Sequence, residues 1–341
     1  MILVDRSKIR LFVPALALII LLTSCSEKTH IIKGPTMGTQ YKIVIKTSDT
    51  VSSEKIKKDA EKILQEISFQ MSTYDPESII SLFNKMSNQD KYYRGIFVPY
   101  HFYNVLKKSL YYKELSEGMF DITVHPLYKL WGFQNKFNNS IDEPSEQEIK
   151  RAMRRGSIYL DKCDWDHVGK HYHDYYDYND DSMCLYNDGY DDCRICDKDF
   201  SIDVSAIAKG YAVDVLSRYM NEQGYYNFFI DIGGEITVSS SIDNYWDIGI
   251  QEPDPENLGN AVKKVRLSNI SIATSGNYAN FIKYLDSGKT RTHIINPKTG
   301  YPLEVKDGMI ASVSILSQHC VDADALATTL MLLSNEQGLD I

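Results

Sequence analysis

Asp203-Val-Ser-Ala-Ile-Ala-Lys-Gly-Tyr-Ala-Val-Asp214 sets a carboxylate, a lysine and a glycine at fixed turns of what the apolar spacing predicts to be an amphipathic helix over 205–221. Asp203 or Ser205 can cap the free N–H groups at its start. Lys209, about one turn on, adds positive charge where the helix dipole already favours an anion such as a phosphate. The plainer reading of the same residues is a well-capped core helix with a solvated lysine. Around it the chain predicts a strand near 40–46 and helices over 53–70 and 99–116. The second half is strand-rich, at 228–232, 246–251, 262–267, 281–284 and 309–316. Strands and helices without strict alternation predict an α+β fold rather than a doubly wound parallel sheet. No Gly-x-Gly-x-x-Gly is present to hold a dinucleotide on a Rossmann turn.

Downstream, Asp322-Ala-Asp-Ala-Leu-Ala-Thr-Thr329 reads as a helix with Leu326, Leu330 and Met331 as its apolar stripe. Asp324 and Thr328 fall at i and i+4 on one face, and a carboxylate with a hydroxyl is a pair of hard oxygen donors. Magnesium takes such ligands together with waters and substrate phosphates; a helix-start aspartate followed by a core threonine is the alternative. Between the two helices runs Arg291-Thr-His-Ile-Ile-Asn-Pro-Lys-Thr-Gly-Tyr-Pro302, where His293 begins a short apolar strand stopped by Asn-Pro and turned by Thr-Gly. A histidine there can serve as a general base at neutral pH, or can be structural. Gly233-Gly234, after the strand ending at 232, either makes a turn or admits a ligand.

These stretches, with Met37-Gly-Thr-Gln-Tyr41, Met71-Ser-Thr-Tyr-Asp-Pro-Glu-Ser78, Phe83-Asn84, Gly118-Met-Phe-Asp-Ile-Thr-Val124, His125-Pro126, Ile230-Asp-Ile-Gly-Gly234 and Ala273-Thr-Ser-Gly-Asn-Tyr278, resemble in their order the ApbE family of FAD:protein FMN transferases, once described as thiamine-biosynthesis lipoproteins. The resemblance spans almost the whole chain after residue 24. It implies an α+β ApbE-like fold and a reaction in which FAD is cleaved at its pyrophosphate, AMP leaves and FMN becomes phosphoester-linked to a threonine of a target protein. It further implies FAD contacts at Met37, Tyr74, Met119, Phe120, Asp121, Asp203 and Lys209. Magnesium would be held by the Ala206 carbonyl and the Asp324 and Thr328 side chains, with His293 as catalytic base. Family acceptors carry a flavinylation-motif threonine. They include exported subunits of sodium-pumping NADH:quinone oxidoreductases (Nqr), of Rnf-type complexes and other FMN-binding domains. Asp307-Gly-Met-Ile-Ala-Ser-Val313 comes nearest to that motif here, with valine in place of the acceptor threonine, so a separate partner is expected. An FAD pyrophosphatase and a periplasmic flavin carrier are alternatives. His125 is expected to be structural and Cys320 a buried small hydrophobe.

Arg6, Lys8 and Arg10 precede the apolar run 11–22, and Leu22-Thr-Ser-Cys25 resembles a bacterial lipobox. Residues 1–24 are therefore read as a lipoprotein signal peptide and 25–341 as the transferase domain. Acylation at Cys25 would tether it by a lipid such as palmitate to the inner or outer membrane, with the catalytic domain facing the periplasm or exterior; an uncleaved signal anchor is the alternative. At 43% hydrophobic and 24% charged residues the chain can bury a sizeable core, as one large domain or two joined subdomains. Its net charge is −9 with no basic cluster beyond the signal, so no nucleic-acid partner is expected. From about 161 to 199 runs a polar insert holding Cys163, Cys184, Cys193 and Cys196, with His167, His171 and His173. Two disulfides, a metal held by cysteine and histidine, or unpaired thiols are its readings.

Overall fold

The computed structural model describes residues 27–86, 98–134, 142–153, 201–241, 244–254, 259–278, 280–333 and 335–338. Cys25 and the cysteine insert lie outside them. Strands β1 (Lys28–Thr36) and β2 (Thr39–Thr47) form a hairpin across Met37-Gly38, both at positive φ (45° and 73°), the backbone of a tight two-residue turn that matches strand twist. β3 (Phe228–Ile232), β4 (Glu235–Ser239), β7 (Ile270–Gly276) and β11 (Ser312–Ser317) extend it into a six-stranded sheet in the order β1-β2-β3-β4-β7-β11. Every described strand pair is antiparallel, in keeping with an α+β fold without a Rossmann unit.

Period-two patterning assigns the faces. Tyr41, Ile43 and Ile45 of β2 and Phe228, Ile230 and Ile232 of β3 all point into one core. Helix α1 (Ser53–Met71) meets them with Ile56, Ala60, Leu64 and Ile67, one apolar stripe at helical spacing, its start capped by Ser52. α6 (Ala208–Glu222) and α7 (Cys320–Leu330) lie beside it on the sheet, and α3 (Tyr100–Leu115) packs across α1 and α7. Each large apolar side chain fully buried here contributes about 1.5–3 kcal/mol. On the other face, Val238 and Ile272 are covered by Ile248 and Leu267 of the hairpin β5 (Trp246–Gln251) and β6 (Ala261–Leu267).

A smaller core forms where the sheet β10-β9-β8 (Pro302–Glu304, Thr290–Ile295, Phe281–Lys283) meets α4 (His125–Leu130) and α5 (Glu146–Ala152). Trp131 is its hub. The indole N–H donates to Gly300 O (2.8 Å), Tyr284 donates to Trp131 O (2.7 Å), and the Arg291 guanidinium lies over the Trp131 ring while donating to Glu143 (2.6 Å).

Four expectations are corrected. The helix expected from 205 begins at Ala208, behind a turn in which Asp203 Oδ1 accepts the Ser205 N–H (2.7 Å), and its N-cap residue Ile207 makes no side-chain cap. Of the expected stripe only Met331 is buried; Leu326 and Leu330 are partly covered, and the buried face of α7 is instead Cys320, Val321, Ala323, Asp324, Ala325, Ala327 and Thr329, where α6 comes close. His293 lies fourth in β9 rather than at its start. The strand expected over 309–316 begins at Ser312, after a glycine turn at Gly308 (φ 79°).

Candidate active site

The crossing of α6 and α7 organises the site. A Cβ added at Gly210 would stand 2.5 Å from Cys320 O and 2.8 Å from Asp324 Cβ, so only glycine lets the helices come this close. At that distance each caps the other. Asp324 Oδ2 accepts the Gly210 N–H (2.9 Å), and Asp214 accepts the N–H groups of Cys320 (2.8 Å) and Val321 (2.9 Å). Burial pushes the Asp214 carboxyl up to about 6 against the pull of those two bonds.

The β3–β4 turn supplies the next group. Gly233 and Gly234 take positive φ (62° and 102°), Asp231 Oδ1 accepts the Gly234 N–H (2.8 Å), and the two-residue turn sets Glu235 opposite Ile232. Glu235 therefore faces the helices, where Lys209 Nζ donates to its Oε1 at 2.5 Å. Its Oε2 is buried with no partner. Burial, and then the charge of Asp324, push the Glu235 carboxyl up, while the Lys209 ammonium at its Oε1 opposes them. Burial works against the Lys209 ammonium, but Asp324 and Glu235 outweigh it and hold its pKa above the usual lysine value. The Cys320 thiol is pushed well up by burial, so it stays a neutral packing group.

Two carboxyl groups, Glu235 and Asp324, thus act on one ammonium at a buried point. Thr328, one turn beyond Asp324, bonds through its hydroxyl to Ser275 of β7 (2.9 Å). Half-buried Ala206 packs at the edge of the main core. Among the described residues no group of three or more His, Cys, Asp or Glu is placed to hold a metal. One carboxylate, a hydroxyl and a backbone carbonyl would form an all-oxygen set of the kind a hard cation accepts alongside waters.

A second cluster joins the expected flavin contacts. Asn84 pins the strip before Asp203 with both ends of its amide, donating to Ile202 O (2.9 Å) and accepting Ile202 N–H (2.8 Å). His125 Nδ1 lies 3.0 Å from Ser201 Oγ, and Asp203 N–H donates to Ile122 O (2.8 Å), which ties Asp203 to the Asp121 turn. Asp121 is buried. Its Oδ1 accepts from Thr123 N–H (2.9 Å) and Oγ1 (2.7 Å), and its Oδ2 lies 3.4 Å from Lys113 Nζ. Tyr74 is 61% exposed; burial raises the pKa of Tyr128, and Tyr74 and Asp203 close to its phenol raise it further. Met119 is buried, Phe120 turns into the main core with its ring edge-on to Tyr112, and Met37 is half-buried at the hairpin turn.

His293 stands on the other sheet. Its Nδ1 lies 3.3 Å from Asn280 O, and since a carbonyl only accepts, Nδ1 carries the proton and Nε2 is the basic nitrogen. Asn280 follows Ser275 by five residues, so the stretch that reaches Thr328 also orients His293. Sequence reading missed Glu235, Asp214, Tyr128 and Ser275. Of these only Glu235 left a local signal, since a two-residue turn after Ile232 puts residue 235 back on the buried face.

The profile of the ApbE family matches residues 37–341. The chain is 31% identical over 333 residues to the FAD:protein FMN transferase of Vibrio cholerae, covering 96% of this chain and 89% of that one. It is 29% identical to the Haemophilus influenzae protein of the same name, covering 96% and 88%. Among solved structures it is similar to the flavin transferase ApbE from Vibrio cholerae (TM-score 0.67, 28% identity, 92% and 90% covered) and to apo Pseudomonas stutzeri flavinyl transferase ApbE (TM-score 0.70, 25% identity, 92% and 87% covered). With a family profile spanning residues 37–341 and the same fold in both solved relatives, this chain belongs to the ApbE family.

Proposed function

We propose that this chain transfers FMN from FAD to a threonine hydroxyl of a separate exported protein, with release of AMP and dependence on magnesium. The observation that carries this reading is the buried meeting of Lys209, Glu235 and Asp324 at the α6–α7 crossing, a charged site built into a chain whose relatives are named FAD:protein FMN transferases. His293 Nε2, set by the Nδ1 contact with Asn280, takes the proton of the acceptor hydroxyl. The threonine oxygen attacks the phosphorus on the FMN side, the bond to the bridging oxygen breaks, and AMP departs with the electron pair. Phosphoryl transfer of this kind asks mainly for positioning and charge neutralisation, which the Lys209 ammonium supplies at the phosphates.

The residues fit magnesium. Asp324 Oδ, Thr328 Oγ1 and the Ala206 carbonyl are hard oxygens, the donor type this ion takes alongside waters and phosphates. Bound there, the ion would neutralise pyrophosphate charge. Tyr74, Asp121 and Asp203, with Met37, Met119 and Phe120, are assigned to FAD. The acceptors proposed are exported Nqr- or Rnf-type subunits and FMN-binding domains, and the lipobox at Cys25 supports a lipid-anchored enzyme facing the periplasm or exterior. Val313, in the segment nearest to an acceptor motif, lies within β11 and has no hydroxyl, which supports a separate acceptor over self-modification. Product analysis after incubation with FAD and magnesium tests the reading. Covalent flavin on an added acceptor supports it, and AMP with free FMN formed equally well without acceptor makes the chain a pyrophosphatase instead.

A further inference from the structure

Lys209 and Gly210 are adjacent, and Asp324 accepts the Gly210 N–H, so the Lys209 ammonium and the Asp324 carboxylate start from neighbouring points. Asp324 is also a strong attractor of Lys209, ahead of Glu235 among the charges that hold the ammonium protonated. Yet the bond Lys209 makes is to Glu235. We infer that Glu235 is a positioning residue: it draws the Lys209 ammonium away from Asp324 and so leaves that carboxylate available to a divalent cation. The inference rests on the reading of Asp324 as a cation ligand.

Stability does not account for Glu235. Only 4% of its side chain is exposed, its Oε2 has no partner, and the cross-strand residue on the same face is Ile232. Burying a half-satisfied carboxylate is costly, and an apolar residue at such a place is often no less stable than a buried ion pair. What glutamate does there, and isoleucine would not, is compete for Lys209. The strand holds it rigidly in the position to do so, because the glycine turn fixes the β3–β4 register. Without that competitor the ammonium's neighbouring anion is Asp324, and a closed Lys209–Asp324 pair would exclude a cation from the carboxylate.

The test is a calorimetric titration with Mg²⁺ of the full-length chain in detergent micelles, comparing wild type, Glu235→Gln, Lys209→Met and the double variant. Glu235→Gln should weaken Mg²⁺ binding by about tenfold or more, while in the Lys209→Met background the same change should cost less than about threefold, because no ammonium is left to divert. Unchanged affinity in Glu235→Gln overturns the inference, and so does an equal loss in both backgrounds, which would mean that Glu235 acts only by its own charge. Should Glu235→Gln fail to fold by circular dichroism, Glu235→Asp keeps the charge on a shorter arm. It should weaken Mg²⁺ severalfold, and wild-type affinity there is equally contrary. If wild type itself takes up no Mg²⁺, the reading of Asp324 fails and the inference falls with it.

Discussion

Asp324 carries two duties in one carboxylate: one oxygen ends the α6 backbone ladder at Gly210, and the charge is proposed to hold a cation. Asp324→Asn separates them, since the amide oxygen can still accept the N–H. The variant should fold and bind FAD, and its transfer rate in acceptor assays should fall by at least about 10²-fold; a wild-type rate would remove Asp324 from the chemistry. Asp214 makes a different prediction. Its folded pKa of about 6 is raised above the ordinary 3.8, so the stability it contributes is fully present below the lower value and is lost as pH rises through the upper one. Urea melts of wild type against Asp214→Asn should show wild type losing about 2 kcal/mol relative to the variant between pH 4 and 7. A pH-independent difference would contradict the burial of this carboxylate.

Among the elements, those with a local pattern were legible. β3 falls on its expected residues because Phe228, Ile230 and Ile232 alternate inward, and α1 does so because Ile56, Ala60, Leu64 and Ile67 repeat at helical spacing. The start of α6 was misread by three residues because its cap comes from Asp324, 114 residues away, which no local pattern announces. The same holds for Asp214, whose partner Cys320 lies 106 residues on. Gly210 joins the two helices, and Gly210→Ala should overpack the crossing, lowering stability by about 1–3 kcal/mol. It should reduce flavin transfer further than the loss of folded protein explains, as parallel thermal melts and rates would show. On the second sheet, Trp131→Phe removes the donor to Gly300 O and leaves that carbonyl unpaired, at a cost of about 1–3 kcal/mol in denaturant melts. Since β9 carries His293 through this core, kcat should fall more than FAD affinity; a change confined to FAD affinity would detach the Trp131 core from the proposed base.

At the scale of the whole molecule, one antiparallel sheet and its helices present Lys209, Glu235, Asp324 and Thr328, while a separate three-stranded sheet presents His293. The order of motifs in the sequence named the family and most of the candidate residues. A two-residue Gly-Gly turn could return Glu235 to the buried face, but its meeting with Lys209 depends on the packing of α6 against the sheet, which no local pattern announces. The division between sheets suits the proposed reaction with two substrates, in which the helix crossing would take the pyrophosphate and His293 the incoming hydroxyl. The most direct measurement is the intact mass of an exported acceptor after incubation with the full chain, FAD and Mg²⁺, with AMP quantified in the same sample. The expected result is an acceptor heavier by one FMN less water, one AMP per acceptor modified, and neither product when His293 is changed to alanine. An acceptor of unchanged mass beside accumulating AMP and free FMN would contradict it.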